Sequence, residues 1–281
     1  MSYNRKVIVE FVTPQGVKRL DGVDVKFDIN LPMSAIMTTA KVGILNLTRE
    51  DIEYLTTYTS RWSAFTQRKR LRVFAGYDDT QVSLIFDGDI LEAIPSQPPD
   101  IWLNCEAQSG NYGSTQMFSR SILVPNSIET VCASAAEWMG LEFEWRSTSN
   151  KTIEKFDFTG SRTRLIETVS ELDKIIAFEE DGALVVVDRD NPVRDGVIRE
   201  ISEESGMVLV PDPDYIGVTA SVFLDTRIKR GDTINLVSKR IPAANGLYYA
   251  YNLHHQGRLR GSKFHTTIKA RRIDTYGSNL T

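Results

Sequence analysis

Few side chains in this sequence are spaced for chemistry. The three histidines are His254, His255 and His265. Neighbours on a strand point to opposite faces, so His254 and His255 cannot readily hold one metal ion, although His255 and His265 could pair across a hairpin. Asp78, Asp79, Asp87 and Asp89 form a dense acidic run, and a glycosidase would need two such carboxylates about 5–10 Å apart across a cleft. Each of the four is expected in or beside a turn, where Asp is common because it bonds its own backbone. Cys105 falls in a strand-like run and Cys132 in a helix, which predicts two buried reduced thiols. No glycine-rich phosphate loop follows a strand, and no Gly-x-Ser-x-Gly elbow is present. No catalytic residue, metal ligand or cofactor is assigned.

The most suggestive stretch is Thr59 to Arg70, TSRWSAFTQRKR. It combines Arg61, Arg68, Lys69 and Arg70 with Trp62 and Phe65, residue types enriched in protein interfaces and their hot spots. The plainer alternative is that Trp62 and Phe65 pack beneath the loop while the charges are solvated. Long loops are often functional, which keeps Arg61, Trp62, Phe65, Arg68, Lys69 and Arg70 as candidate partner-binding residues.

The elements that must carry these residues are mostly strands. The chain has 281 residues, 41% hydrophobic and 25% charged, with a net charge of −4, which allows two or three cored domains and lacks the basic excess of a nucleic-acid binder. No apolar run is long enough to span a bilayer, and MSYNRKVIVEF lacks the apolar core of a signal peptide, so folding in a cytoplasm is expected. Leu71 to Ile90 reads as a hairpin in which Leu71, Val73 and Ala75, then Val82, Leu84 and Phe86, face one side. Val23 to Asn30 and Ala40 to Leu47 read as strands, and Thr48 as the cap of a short helix. Residues 106–210 change character: a helix capped by Asn126 or Ser127 and closed at Gly140, then a strand, then the same order again after a turn at Gly160-Ser161-Arg162. Pro211-Asp212-Pro213 marks a boundary, after which strands return. The predicted fold class is α+β, predominantly β: two β-barrel-like domains, 1–105 and 211–281, flank a small α/β middle region, 106–210.

Four segments carry a family resemblance: AKVGILNLTREDIEYL, RVFAGYDDTQVSLIFDGDI, FTGSRTRLIETVSELDKIIAFEEDGALVVVDRD, and GVTASVFLDTRIKRGDTINLVSK followed by GLYYAYNLHHQGRLRGSKFHTTIKA. In this order they resemble the baseplate hub proteins of contractile-tailed bacteriophages, the late-control protein D class. The resemblance implies a structural virion protein of the viral tail. Such hubs are homotrimers in which each subunit contributes two related barrels; the six-barrel ring meets the tail tube above and the spike below. Implied partners are further copies of the chain, the tail tube protein, the spike, and tape-measure or other baseplate proteins; the implied location is the baseplate, assembled in the host cytoplasm. The chain is short for a hub. Two other readings stay open, a tail-associated cell-wall hydrolase using carboxylates and a carbohydrate-binding module.

Overall fold

The computed structural model describes residues 4–58, 69–77, 82–110, 116–190 and 198–273. The N-terminal strands are β1 (Arg5–Thr13), β2 (Gly16–Asp21), β3 (Val25–Pro32), β4 (Thr39–Leu45), β5 (Thr57–Tyr58), β6 (Arg70–Tyr77), β7 (Ser83–Pro95) and β8 (Trp102–Gln108), with helix α1 (Arg49–Leu55) between β4 and β5. The middle region holds β9 (Met117–Ile122), β10 (Asn126–Ser127), α2 (Ile128–Met139), β11 (Glu142–Arg146), β12 (Thr152–Ile153), β13 (Phe156–Ser161), α3 (Arg162–Ser170), β14 (Ile175–Glu180) and β15 (Ala183–Asp188). The last part holds β16 (Ile198–Ser202), β17 (Asp212–Pro213), β18 (Gly217–Phe223), β19 (Thr233–Val237), β20 (Gly246–Arg258) and β21 (Phe264–Arg272). The chain is predominantly β; among the described residues its α-helices lie in the middle region and at α1, and a short 3-10 helix spans Pro242–Ala244.

Local signals in the sequence explain most of these elements. Thr48 caps α1 by accepting from the Asp51 amide, and Ser127 caps α2 by accepting from Thr130. Gly140 ends α2 with φ 67°, a left-handed position that glycine reaches without a Cβ penalty. The expected turn at Gly160-Ser161-Arg162 is absent: β13 runs through Ser161, which caps α3 directly by accepting from Arg164. Because Ser can end an extended strand and cap the next helix, no turn is needed between them.

Both ends of the chain lie in one hydrogen-bonded sheet, ordered β17-β18-β21-β20-β3-β4-β8-β7-β6-β1-β2. The join is β20. One of its edges pairs with β21 along most of its length. The other edge is divided: Gly246–Tyr249 pairs with β19, and Asn252–Arg258 pairs with β3. Among the described residues the path stays open and no ladder closes it into a barrel.

The N-terminal sheet nevertheless curls over its own core. One face of β1, β3, β4, β6 and β8 supplies Val9, Phe11, Ile29, Ile44, Val73 and Leu103, all fully buried together. Six strand-to-strand steps separate β21 from β6, roughly 29 Å if flat at about 4.8 Å per step. Yet the Tyr77 and Phe264 rings from those strands meet at 5.5 Å. Side chains bridge the seam. The Arg5 guanidinium lies 5.1 Å over Phe264 and donates to the carbonyls of Gly261, Arg258 and Ser262.

The same four-stranded unit occurs twice, in matching register. One rung of the first reads Thr39, Gln108, Asp89, Arg70 across β4, β8, β7 and β6. Its counterpart reads Gly217, Arg271, Tyr249, Thr233 across β18, β21, β20 and β19. One residue further along, β7 slips against β8 between Ile90 and Glu92, and β20 slips against β21 between Ala250 and Asn252. The Ile90 amide donates to the Lys69 carbonyl and the Ala250 amide to the Asp232 carbonyl, each at 3.0 Å. A bulge at the same rung of two ladders is a built feature of the fold, since each re-aims a strand at the same point.

A second bulge corrects the hairpin reading. The register of β6 against β7 shifts between Val73 and Phe74, which leaves Ile85 as the extra residue. Leu84 is therefore turned outward at 37% exposure, while Ile85 and Phe86 are both buried. A strict period of two cannot survive an inserted residue. Asp87 and Asp89 are likewise not turn residues but lie within β7. Gly88 between them is required by crowding, because a Cβ there would sit 2.7 Å from the Gln108 carbonyl oxygen of β8.

The middle region packs as two helix-then-strand units. β9 precedes α2 and β13 precedes α3, and those two strands pair antiparallel. Behind the helices β15 runs parallel to β11 and antiparallel to β14. Leu184 and Val186 face the helical core, whereas Val185 and Val187 face Phe178, Met33 and Tyr249. Burial on both faces explains why this strand is apolar without alternation. Ile201 of β16 packs with the last sheet's core, so that core takes residues from before Pro211.

One buried cation ties the three parts together. Arg230, 3% exposed on its side chain, donates to the Pro32 carbonyl at 2.9 Å and the Glu179 carbonyl at 2.8 Å. Its Nε lies 3.2 Å from the buried Glu180 carboxylate, and its plane lies 4.7 Å over the Phe178 ring. Removing one member of such a pair strands the other, at a cost of about 3–5 kcal/mol. Arg230→Ala is expected to lower the urea midpoint accordingly, and Arg230→Met with Glu180→Leu to recover most of the loss; an unchanged midpoint for Arg230→Ala would rule out the tie.

Candidate functional site

The six residues expected to bind a partner divide at the edge of the described structure. Arg61, Trp62, Phe65 and Arg68 lie outside the described residues, as do Asp78 and Asp79. Lys69 and Arg70 end the loop and are engaged within the chain. Lys69 is 7% exposed and donates to the carbonyls of Tyr54 at 2.9 Å and Thr56 at 3.3 Å. These carbonyls lie at the C-terminal end of α1, a helix whose own last turn holds no basic residue, so Lys69 supplies the cation that such an end favours. Burial lowers the Lys69 pKa below its ordinary value. Arg70 opens β6 and pairs with Asp87 at 2.9 Å, and Arg72 approaches the same carboxylate at 3.2 Å. The loop is thus clamped where it re-enters the sheet.

Two guanidinium groups on the neighbouring strand hold Asp87, an arrangement that neutralises a carboxylate in the sheet. The histidines do point to opposite faces. His254 meets Asp28 at 2.6 Å on the outer face, where Gln256 donates to the other carboxylate oxygen at 2.6 Å. His255 is buried and meets the Thr266 hydroxyl at 2.8 Å. His255 and His265, which could have paired across a hairpin, do not, because the β20–β21 register sets His265 opposite Gln256. Cys105 and Cys132 are free, buried thiols, each pushed up to about 12 by burial. Among the described residues no three of His, Cys, Asp and Glu are grouped to hold a metal ion.

A cavity of about 530 Å³ opens where the three parts meet, lined by Asp87, Asp89, Arg162, Glu179, Arg230 and His255 among others. Its charges are largely matched within the chain: Arg162 with Glu179 at 2.8 Å, Arg230 with Glu180, Arg70 with Asp87. Of these, the Arg230–Glu180 pair joins two parts of the chain, and the other two each lie within one part.

The surface holds a feature that the sequence reading passed over. Val208, Leu209 and Val210 are 45%, 60% and 42% exposed, and Tyr215, Ile216 and Phe223 are exposed beside them in the chain or on β18. The Val208 amide donates to Ser221 and the Phe223 amide to Gly206, so this segment runs along the outer edge of β18. Three consecutive apolar residues between Met207 and Pro211 were the available signal.

Comparison with known proteins bears on what such a surface serves. The model of a family described as baseplate hub gp41 matches residues 6–270. No curated protein matches the chain in sequence. Among solved structures, the 43 kDa tail protein of prophage MuSo2 from Shewanella oneidensis is similar over 95% of this chain and 97% of its own, with a TM-score of 0.67 and 8% identity. A tail protein from Neisseria meningitidis MC58 is similar over 95% and 96%, with a TM-score of 0.61 and 10% identity. An Escherichia coli component of the type VI secretion system, described as structurally similar to the T4 tail proteins gp27 and gp5, is similar over 89% and 74%, with a TM-score of 0.58 and 10% identity. At such identities these likenesses establish a shared fold.

The buried imidazole yields a pH test. Burial, with Lys229 and His254 as lesser causes, lowers the His255 pKa from 6.5 to about 3. The folded protein keeps this ring neutral where the unfolded chain protonates it, so its contribution is present above pH 6.5 and is lost as pH falls toward 3. Between pH 6.5 and 4.5, above the carboxylate range, it should remove about 1.4 kcal/mol per pH unit. His255→Asn should flatten that slope in urea titrations whatever its absolute stability; an unchanged slope would mean that His255 titrates normally.

Proposed function

The chain belongs to the baseplate hub gp41 family, and from that premise we propose that three copies close into the ring that joins the tail tube to the central spike. A baseplate hub is a structural tail protein. The observation that carries the finer reading is the repeated four-stranded unit with its bulge at the same rung. Two equivalent sheets per chain make six in a trimer, which matches a sixfold tube on one side and a threefold spike on the other. The curl of the N-terminal sheet, with Tyr77 against Phe264, supports a barrel-like unit at that end; the proposed units are residues 1–105, 106–210 and 211–281, the last of them completed by β16.

In this reading the protein is a building block without an active site, a member of the virion tail that assembles in the host cytoplasm. Its partners are its own copies, the tube protein, the spike, and tape-measure or other baseplate proteins. The matched charges of the central cavity and the two guanidinium groups on Asp87 support a mechanical role over a hydrolytic one. The loop Thr59–Arg70, with Arg61, Trp62, Phe65, Arg68, Lys69 and Arg70, is the contact with the adjoining ring; the clamp at Lys69 and Arg70 gives it a rigid root. No helix among the described residues is long and apolar enough to cross a membrane.

Absolute mass by light scattering across a range of concentrations tests the ring. A mass of three subunits, or a rise toward it with concentration, is expected; six subunits would make it a tube-end ring, and a monomer at every concentration would count against self-association. A second test replaces residues 60–67 by a short Gly-Ser linker, keeping the Lys69 and Arg70 clamp. Folding should be retained and tail assembly blocked, and normal tails from that variant would remove the loop from the contact.

A further inference from the structure

The repeat can be read further, because one of its joints is made within the chain and the equivalent one is not. Beyond its bulge, β20 offers an open half-edge, and β3 fills it with seven paired positions, Asn252 to Arg258 against Pro32 to Lys26. β7 carries the same bulge at the same rung, so Glu92 onward is the equivalent half-edge. Among the described residues only the two-residue β5 pairs there, at Glu92 and Ala93.

The strand equivalent to β3 can also be identified. Val25 pairs with Ile44, which faces Leu103; Met207 bridges Val222, which faces Thr266, at the matching rung. Asp28 pairs with Lys41 and Asp212 with Thr219, again at matching rungs. Residues 207–213 therefore stand in the second unit where β3 stands in the first. The difference is in the outer edge. β3 is covered there by β20 and buries Phe27 and Ile29, whereas 207–213 leaves Val208, Leu209 and Val210 exposed.

We propose that residues 207–213 of one copy dock on the post-bulge end of β7 and the residues directly after it, 94–98, in a second copy, repeating between chains the joint that β3 and β20 make within one. This rests on the ring of copies proposed above and names its contact surface. The occupant is a second copy because the equivalent acceptor edge exists on this chain in the same register. An interface whose two sides are different patches is head-to-tail and generates a ring when its rotation closes.

The chemistry of the two edges also says how this joint differs from its internal counterpart. Pro211 and Pro213 on one side, and Pro95 and Pro98 on the other, cannot donate to a ladder. The contact between copies is therefore made by apolar side chains, Leu209 and Val210 against Pro95 and Pro98, in place of seven rungs. Prolines at these edges also block indiscriminate strand pairing before assembly.

Cysteine cross-linking of the full chain tests the contact. Leu209→Cys and Gln97→Cys are made singly and together, with Asp212→Cys and Ser96→Cys as a second pair set opposite each other by the register; Leu209, Gln97 and Asp212 are exposed. The native thiols Cys105 and Cys132 are buried and do not compete. Under mild oxidation, mixing the two single variants should give covalent dimers only, and the double variant covalent dimers and trimers. Each single variant alone should give none. Absence of cross-links from both pairs overturns the contact, and so does cross-linking of Leu209→Cys alone, which would mean a two-fold interface. The mass of the unmodified protein, measured alongside, separates the two ideas: a trimer that does not cross-link keeps the ring and discards this surface.

Discussion

A strand has only two edges, and the architecture turns on how β20 divides one of them. The bulge between Ala250 and Asn252 re-aims the strand midway, so that its first half stays with β19 and its second half is free to take β3. Without that division the first and last sheets would be separate bodies linked only through the middle region. With it they share one backbone ladder, and the relative placement of the two repeated units follows from hydrogen-bond geometry. Asp28, bonded to both His254 and Gln256 across the junction, fixes the register from the outer face. The His255–Thr266 contact lies on the opposite, buried face.

Arg230 complements this ladder where strands cannot reach. Desolvating a guanidinium is expensive, and it is tolerated here because carbonyls from two different parts of the chain and one buried carboxylate receive its protons while an aromatic face covers its plane. Each acceptor belongs to an element whose position is set elsewhere, so the cation holds β14, the end of β3 and the loop before β19 in one arrangement. The ladder sets two sheets, and the buried cation sets the middle region against them.

Much of this was legible in the sequence, and the parts that were not share a cause. Caps and stops are local chemistry, so Thr48 and Gly140 could be placed from neighbouring residues alone, and the second helix's cap narrowed to Asn126 or Ser127, of which Ser127 caps. The alternation of Phe264, Thr266, Ile268 and Ala270 is equally plain in the sequence, because one face of β21 is buried throughout. Bulges broke the pattern instead: Ile85 adds a residue that no local signal marks, and the phase of Val82, Leu84 and Phe86 was misread as a result. Asp87 looked like a turn residue because its partners, Arg70 and Arg72, lie on another strand. The apolar run at Val208 to Val210 drew no attention because exposure is a property of the fold, and three such residues read equally well as a buried strand. Union of the two end sheets through β3 and β20 was out of reach for the same reason, since pairing partners so far apart leave no mark on local periodicity.

That distance has a consequence for how the protein is made. Asp28 and His254 are 226 residues apart, so the first sheet leaves the ribosome with its β3 edge bare and must wait for nearly the whole chain to be translated. Non-local pairing of this kind is slow, and an unpaired edge is adhesive while it waits. Strand β3 shields itself with Lys26, Asp28 and Asn30 alternating along it and Pro32 at its end, the same devices that guard permanent edges. A nascent chain halted before residue 246 would carry a cored but unfinished sheet, which makes the last hairpin, β20–β21, the step that commits the molecule to its final shape.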